Sequence, residues 1–470
     1  MTALKIQNKG SNNTNSLWRR NIVMKNYCLS VLVSLLFSGC FLCQVNQAAA
    51  GIFPYEFQQK VFDNGFKVIL IPMDSPGIVA YYSIVRTGSR DEYEPGHSGF
   101  AHFFEHMMFR GTKNYPGHVY DRLITEIGAN ANAYTSNDIT CYHLKFASED
   151  LEKVMELESD RFQNLFYSEQ AFKTEAGAVH GEYLKSLSSP WMVLNEKLYD
   201  TAFDVHTYKH TTIGFREDIE AMPTMYEYSK SFFNRYYRPE NVILLIVGDI
   251  NPAASFELAQ KYYGDWQPGY VPPKIPAEPE QKRERKAEVT FSGKTLPILS
   301  INYKAMVFDP TDIEMAACYL LGDIVFGETS EIYKKLVIDE QRVRFIGANF
   351  SASRDPGLFS IYTMVNTEDD IENIKNEIYR AIEFYQDNLV DEKRLNDLKS
   401  NLKYSFLMRL NTAEAVAGRL ARLIAMTGNI ESVDQLYQSY DKVTTEDIIT
   451  AANKYLVKQK RTVIVLKGEI

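Results

Sequence analysis

All eight histidines of the 470-residue chain lie between His97 and His210, and the last 260 residues contain none. Chemistry that needs an imidazole therefore belongs to the first half. One run stands out there: His102-Phe103-Phe104-Glu105-His106. On a helix, side chains four positions apart share a face, so both imidazoles can grip one Zn²⁺. Glu105 stands three positions after His102, where its carboxylate can reach a water on such an ion. The order His-x-x-Glu-His inverts the His-Glu-x-x-His pattern of zinc proteases. Two histidines at helical spacing also occur as plain surface or core residues, and a catalytic zinc site takes a third protein ligand beside its water. The stretch 168–187 offers Glu169, Glu175 and Glu182. Glu175 and Glu182 are two helical turns apart and share one face. Ala176, Ala178, Val179 and Tyr183 around them make this more than a charged surface helix.

The elements that must position these residues can be read from punctuation and period. Ser98 is the expected N-cap of the histidine helix and Gly111 its stop. Helical spacing predicts helices over 151–165, 168–187 and 371–386. Residues 268–287 hold five prolines and then a mixed charge run, which reads as a solvated linker. On either side the chain repeats itself. Asn241-VILLIVGD-Ile250 matches Arg461-TVIVLKGE-Ile470, an offset of 470 − 250 = 220, and the same offset lays Ile78-VAYYSIV on Ile298-LSINYKA. Each half reads as strand pairs interrupted by helices and closed by a strand. The expectation is an α+β fold of two tandem homologous domains, each a mostly antiparallel sheet packed with helices.

HFFEH, followed by the glutamate pair Glu175-AGAVHG-Glu182, resembles the pitrilysin/insulinase metallopeptidases, the inverzincins, including their mitochondrial processing peptidase branch. The separation 182 − 102 = 80 is that between first histidine and third ligand in such enzymes. The resemblance covers about residues 53–470. It implies that two domains enclose a chamber and that His102, His106 and Glu182 bind Zn²⁺. It further implies that Glu105 is the general base and that Glu175 supports the site from behind. The activity implied is zinc-dependent endopeptidase cleavage of peptides or unfolded segments. Within Gly128-ANANAYTSNDITCYHLKF, the positions Asn132, Ala133, Tyr134 and Thr135 resemble the family's substrate-binding edge strand. His97, His118, His143 and His180 are read as non-ligands, and His206 and His210 receive no role.

The chain departs from the family pattern in its second half. Many members carry an Arg and a Tyr, seven apart, that contact substrate near the zinc; the matching positions here hold Val337 and Arg344. Arg342 and Arg344 are candidate substitutes. The departure implies the zinc-bearing subunit of a hetero- or homodimer, with a catalytically weak structural or binding member as the alternative.

The first fifty residues carry five basic residues and no acid, an apolar run from Tyr27 to Cys43, and then Ala48-Ala49-Ala50. This order is that of an export signal, with Met24 as an alternative start. Phe37-Ser38-Gly39-Cys40 loosely matches a lipoprotein box that would lipidate Cys40. The expected compartment is the bacterial periplasm, with membrane attachment or secretion as alternatives. The domains expected are a signal at 1–50, a zinc-binding peptidase domain at 51–267, the linker at 268–287 and a non-zinc domain at 288–470. A chain starting at Gly51 has a net charge of (51 − 5) − 60 = −14, which argues against a nucleic-acid partner. The mean hydropathy of −0.27 excludes a polytopic membrane protein. Cys141 and Cys318 are expected as buried free thiols.

Overall fold

The computed structural model describes residues 51–469, and the expected signal and the Cys40 motif lie outside them. Two sheets organise the described residues. The first contains β1 (Gln58–Val61), β2 (Lys67–Pro72), β3 (Ile78–Val85), β4 (Asn130–Thr135), β5 (Thr140–Ala147) and β6 (Val242–Gly248), in the order β1-β2-β6-β3-β5-β4. The second contains β7 (Arg285–Phe291), β8 (Ile298–Lys304), β9 (Val343–Phe350), β10 (Leu358–Val365) and β11 (Arg461–Gly468), in the order β7-β11-β8-β10-β9. Without β1 the two orders are identical. The sequence repeat is thus a repeat of topology: β8 starts 298 − 78 = 220 residues after β3. Pairing is antiparallel except at β2–β6 and β7–β11, which run parallel.

The central strands are continuous apolar runs because they are covered on both faces. In β6, VILLIVG, every residue is buried. Alternate residues of β2, β3 and β6 divide between two cores. Val68, Leu70, Val79, Tyr81, Leu244 and Ile246 face one of them. Ile69, Ile71, Ala80, Tyr82, Leu245 and Val247 face the other.

Eight helices of the first half follow in chain order: α1 (Phe100–Met107), α2 (Gly117–Glu126), α3 (Leu151–Asn164), α4 (Glu169–Ser186), α5 (Pro190–Ala202), α6 (Arg216–Ala221), α7 (Tyr226–Tyr236) and α8 (Pro252–Tyr263). The second half contributes α9 (Ile313–Phe326), α10 (Ile371–Asp387), α11 (Glu392–Met408), α12 (Ala413–Thr427), α13 (Ser432–Lys442) and α14 (Thr445–Tyr455). Helices of each half reach the other half's sheet, α12 and α5 most extensively. Val416, Leu420 and Ile424 of α12 pack on the first sheet with Ile69, Ala80 and Leu245. Leu194, Leu198 and Ala202 of α5 pack on the second sheet with Ile298, Ile464 and Leu466. The two helices are equivalents in the repeat, 413 − 190 = 223 residues apart. Each half therefore closes the far face of the other half's sheet.

The proline-rich stretch is mostly exposed over residues 268–280. Residues 268–284 hold no helix or strand, and β7 takes over from Arg285. The stretch is pinned: the Glu278 carboxylate accepts the backbone N–H groups of Asp204, Val205 and His206 and pairs with Lys304 Nζ at 3.2 Å. Cys141 and Cys318 are buried and unbridged. No helix among the described residues is long and apolar enough to cross a membrane.

Candidate metal centre

The aromatic residues interleaved with His102, Glu105 and His106 set the rotation of α1. Phe100, Ala101, Phe103, Phe104 and Met107 are buried. Phe104 stacks on Phe232 of α7, with centroids 5.4 Å apart. Phe103 meets Phe172 of α4 edge-on at 5.0 Å. Tyr142 of β5 donates its hydroxyl to the Phe104 carbonyl at 2.9 Å. With this side of α1 fixed in the core, the histidines turn toward α4. Phe172, Ala176, Val179 and Tyr183 anchor α4 in that same core.

The result brings the three expected ligands together. His102 Nε2 lies 3.6 Å from Glu182 Oε2, and His106 Nε2 lies 3.4 Å from the same oxygen. One donor atom from each of the three falls within 4.8 Å of the others, and no other such group forms among the described residues. Zinc bonds of about 2.0–2.1 Å at tetrahedral angles separate neighbouring donors by roughly 3.4 Å, so this N₂O set fits the ion. Burial lowers the pKa of His102, which favours the neutral, ligating imidazole.

Glu175 does not join the three donors. It is 2% exposed and accepts from His106 Nδ1 at 2.9 Å through one oxygen. Its other oxygen receives Arg110, which follows α1 by one short turn. Burial alone would raise the Glu175 pKa; the hydrogen bonds from His106 and Arg110 hold it below the usual range. The acceptor at Nδ1 calls for a proton there, so Nε2 is the nitrogen that a neutral ring would offer to a metal; the hydrogen bond to Glu175 also raises the His106 pKa. Arg110 was missed in the sequence. Its position four residues after His106 is the signal that it shares the same helical side.

The expected Ser98 cap is a correction. The residue before α1 is Gly99, at φ +93, and an added Cβ there would sit 2.5 Å from the Ile213 carbonyl oxygen. The helix start is satisfied by the buried Glu92, whose carboxylate accepts Gly99 N at 2.7 Å and Ala101 N at 2.6 Å. Burial pushes the Glu92 pKa well up against these donors, and His210 Nε2 lies 3.8 Å from it. Ser98 instead bonds Asp218 and accepts Phe215 N. Gly111 does end the segment, at φ +88.

β4 is the open edge of its sheet, as expected of the 128–146 segment. Asn132, Ala133, Tyr134 and Thr135 pair with β5 on one side only. The Asn132 side chain turns onto its own backbone, accepting Ala133 N, while the Thr135 hydroxyl reaches Glu105 Oε2 at 2.6 Å. In the second half, Arg342 is committed to Asp370 and Glu340, and Arg344 is an exposed residue of β9. Neither candidate substitute is joined to the centre by a hydrogen bond or ion pair.

The second half reaches the first through another arginine that the sequence did not single out. Arg354, in the β9–β10 loop, donates to both oxygens of Asp91 at 2.8 and 3.0 Å and lies 3.5 Å from Asp138. Asp138 stands in the turn after β4 and accepts Tyr208 at 2.9 Å. The neighbouring Asp355 receives Arg90 and the buried His206.

Comparison with known proteins agrees with the fold. Residues 71–215 match the family described as Insulinase (Peptidase family M16), and residues 225–402 match the Peptidase M16 inactive domain. The chain is 29% identical to zinc protease PqqE of Helicobacter pylori, over 86% of this chain and 91% of that protein. It is 25% identical to the mitochondrial-processing peptidase subunit beta of Saccharomyces cerevisiae, over 85% and 87%. A solved protease structure from Helicobacter pylori superposes with a TM-score of 0.82 at 27% identity, covering 88% of this chain and all (100%) of that one. The fold, the repeat and both matched segments place the chain in the insulinase family of peptidases, family M16.

Proposed function

We propose that this chain is a zinc-dependent endopeptidase acting on peptides or unfolded segments. The observation that carries the reading is the convergence of His102, His106 and Glu182 on one point, beside Glu105 and the open edge of β4. His102, His106 and Glu182 would hold the ion, and Glu175 would orient His106. When bound, zinc supplies a Lewis acid that acidifies water and polarises the scissile carbonyl. A peptide adds to β4 as an extra strand through main-chain hydrogen bonds, so selection by side chain is loose. The Glu105 carboxylate takes a proton from the attacking water and returns it to the nitrogen of the leaving amine as the C–N bond breaks. The catalytic half is read as residues 51–267 and the half without zinc as 288–470. Together they enclose the substrate in a chamber.

The relative from Saccharomyces cerevisiae is named as one subunit of a larger enzyme. With Arg342 held by Asp370 and Val337 in place of an arginine, this chain suits the zinc-bearing member of a dimer. The same observation favours a second reading, a catalytically weak member that binds peptides without efficient turnover. The basic and then apolar opening of the sequence supports export to a bacterial periplasm.

The test is Glu105→Gln. Zinc content should remain at one per chain while peptide cleavage falls by about 10²–10⁴-fold. Normal cleavage by this variant refutes the role of the base. Gel filtration with and without a co-expressed paralogue tests the dimer.

A further inference from the structure

We propose that Thr135 is a positioning residue for the Glu105 carboxylate, fixing which of its two oxygens faces the attacking water. The inference rests on the peptidase reading above and goes beyond it. Glu105 sits at the end of a side chain whose last torsion is broad and nearly two-fold, so nothing internal to it chooses an orientation. The Thr135 hydroxyl has one proton, and at 2.6 Å it is given to Oε2. Oε1 is left as the acceptor for the water's proton.

The donor is well placed to be stiff. Thr135 is β-branched and has a restricted χ1. It is the last residue of β4 and pairs with Thr140, and the turn is closed by Ser136 N donating to the Ile139 carbonyl at 2.8 Å. Asp138, in that turn, is held by Tyr208 and by Arg354 of the second half. The strand that offers its edge to a peptide thus also orients the group that acts on it. Binding register and base orientation are set by one rigid hairpin. A side chain serving only to dock substrate would point along the open edge, whereas this one is spent on the carboxylate.

The experiment measures kcat and KM on an internally quenched peptide that the wild type cleaves, for Thr135→Val, Thr135→Ser and Glu105→Gln, and for the Val and Gln changes combined. Zinc content and melting temperature are recorded for each. Thr135→Val keeps the shape and removes the donor. Its kcat should fall about 10–100-fold, the range of one hydrogen bond to a charged group, with KM within about threefold and one zinc retained. Thr135→Ser restores the hydroxyl and should recover kcat to within about threefold, which a structural role of the methyl group would not allow. In the Glu105→Gln background the valine change should add nothing. Two results overturn the proposal: a serine variant as impaired as the valine variant, or a loss confined to KM. A wild type that cleaves no peptide, or a Glu105→Gln variant that cleaves normally, instead sinks the peptidase reading.

Discussion

Replacing Arg354 by Met removes the charge that the second half inserts between two buried carboxylates of the first. The side chains of Asp91 and Asp138 are 0% and 5% exposed, and that of Arg354 is 13% exposed. Removing one partner of a buried ion pair costs about 3–5 kcal/mol, because the remaining charge stays buried. Arg90 remains 2.9 Å from Asp91 and 4.0 Å from Asp138, so the lower end, about 3 kcal/mol, is expected. At about 2.1 cal/mol/K per residue over the folded chain, that loss lowers the melting temperature by roughly 3 °C.

The deficit also has a sign with pH. Burial already raises the Asp138 pKa above the ordinary value while Arg354 pulls it down, so losing Arg354 raises it further. A carboxyl with a raised folded-state pKa loses folding stability as pH rises through the interval between its unfolded and folded values. In the variant that interval extends upward. The deficit is therefore full at pH 7.5 and shrinks on acidification, as Asp138 takes up a proton. Guanidinium unfolding of wild type and variant at pH 7.5 and 5.0 measures this, with Asp138→Asn added to the variant as a check; the double variant should recover part of the loss at pH 7.5. A deficit equal at both pH values, or below about 1 kcal/mol, would falsify the electrostatic account of the junction.

Two further outcomes follow from the geometry. Glu175→Gln leaves the fold intact but replaces an anionic acceptor of the His106 proton by a neutral one, and zinc affinity, measured by competition with a chelator, should weaken about 10–100-fold; unchanged affinity would remove Glu175 from the site. Leu420→Ala empties a fully buried position where α12 crosses onto the first sheet, and should destabilise the protein by about 2–5 kcal/mol, read by denaturant unfolding; a loss typical of a surface residue would mean the crossed helix is not holding the sheet.

The parts of this protein that could be read without coordinates are those written within one element or repeated in register. The face shared by His102, Glu105 and His106 follows from the period of a helix. The buried central strands follow from the apolar runs at 242–248 and 461–468, and the 220-residue offset announced two copies of one strand order. Helical period narrows the third ligand to a few glutamates, and only the family resemblance singles out Glu182 among them, because eighty residues of chain carry no distance information. Ser98 was the natural cap by local rules, yet Glu92 does that work from a loop whose approach to Gly99 no local pattern announces.

Tertiary structure alone decided that α5 and α12 exchange sheets, that Arg354 crosses to Asp91 and Asp138, and that Thr135 turns from the open edge to Glu105. The physical reason is one of range. Periodicity and capping act over a few residues and leave their mark in neighbouring letters. A hydrogen bond between residues 30 or 263 positions apart exists only after two packed cores have set the separation of the elements that carry them.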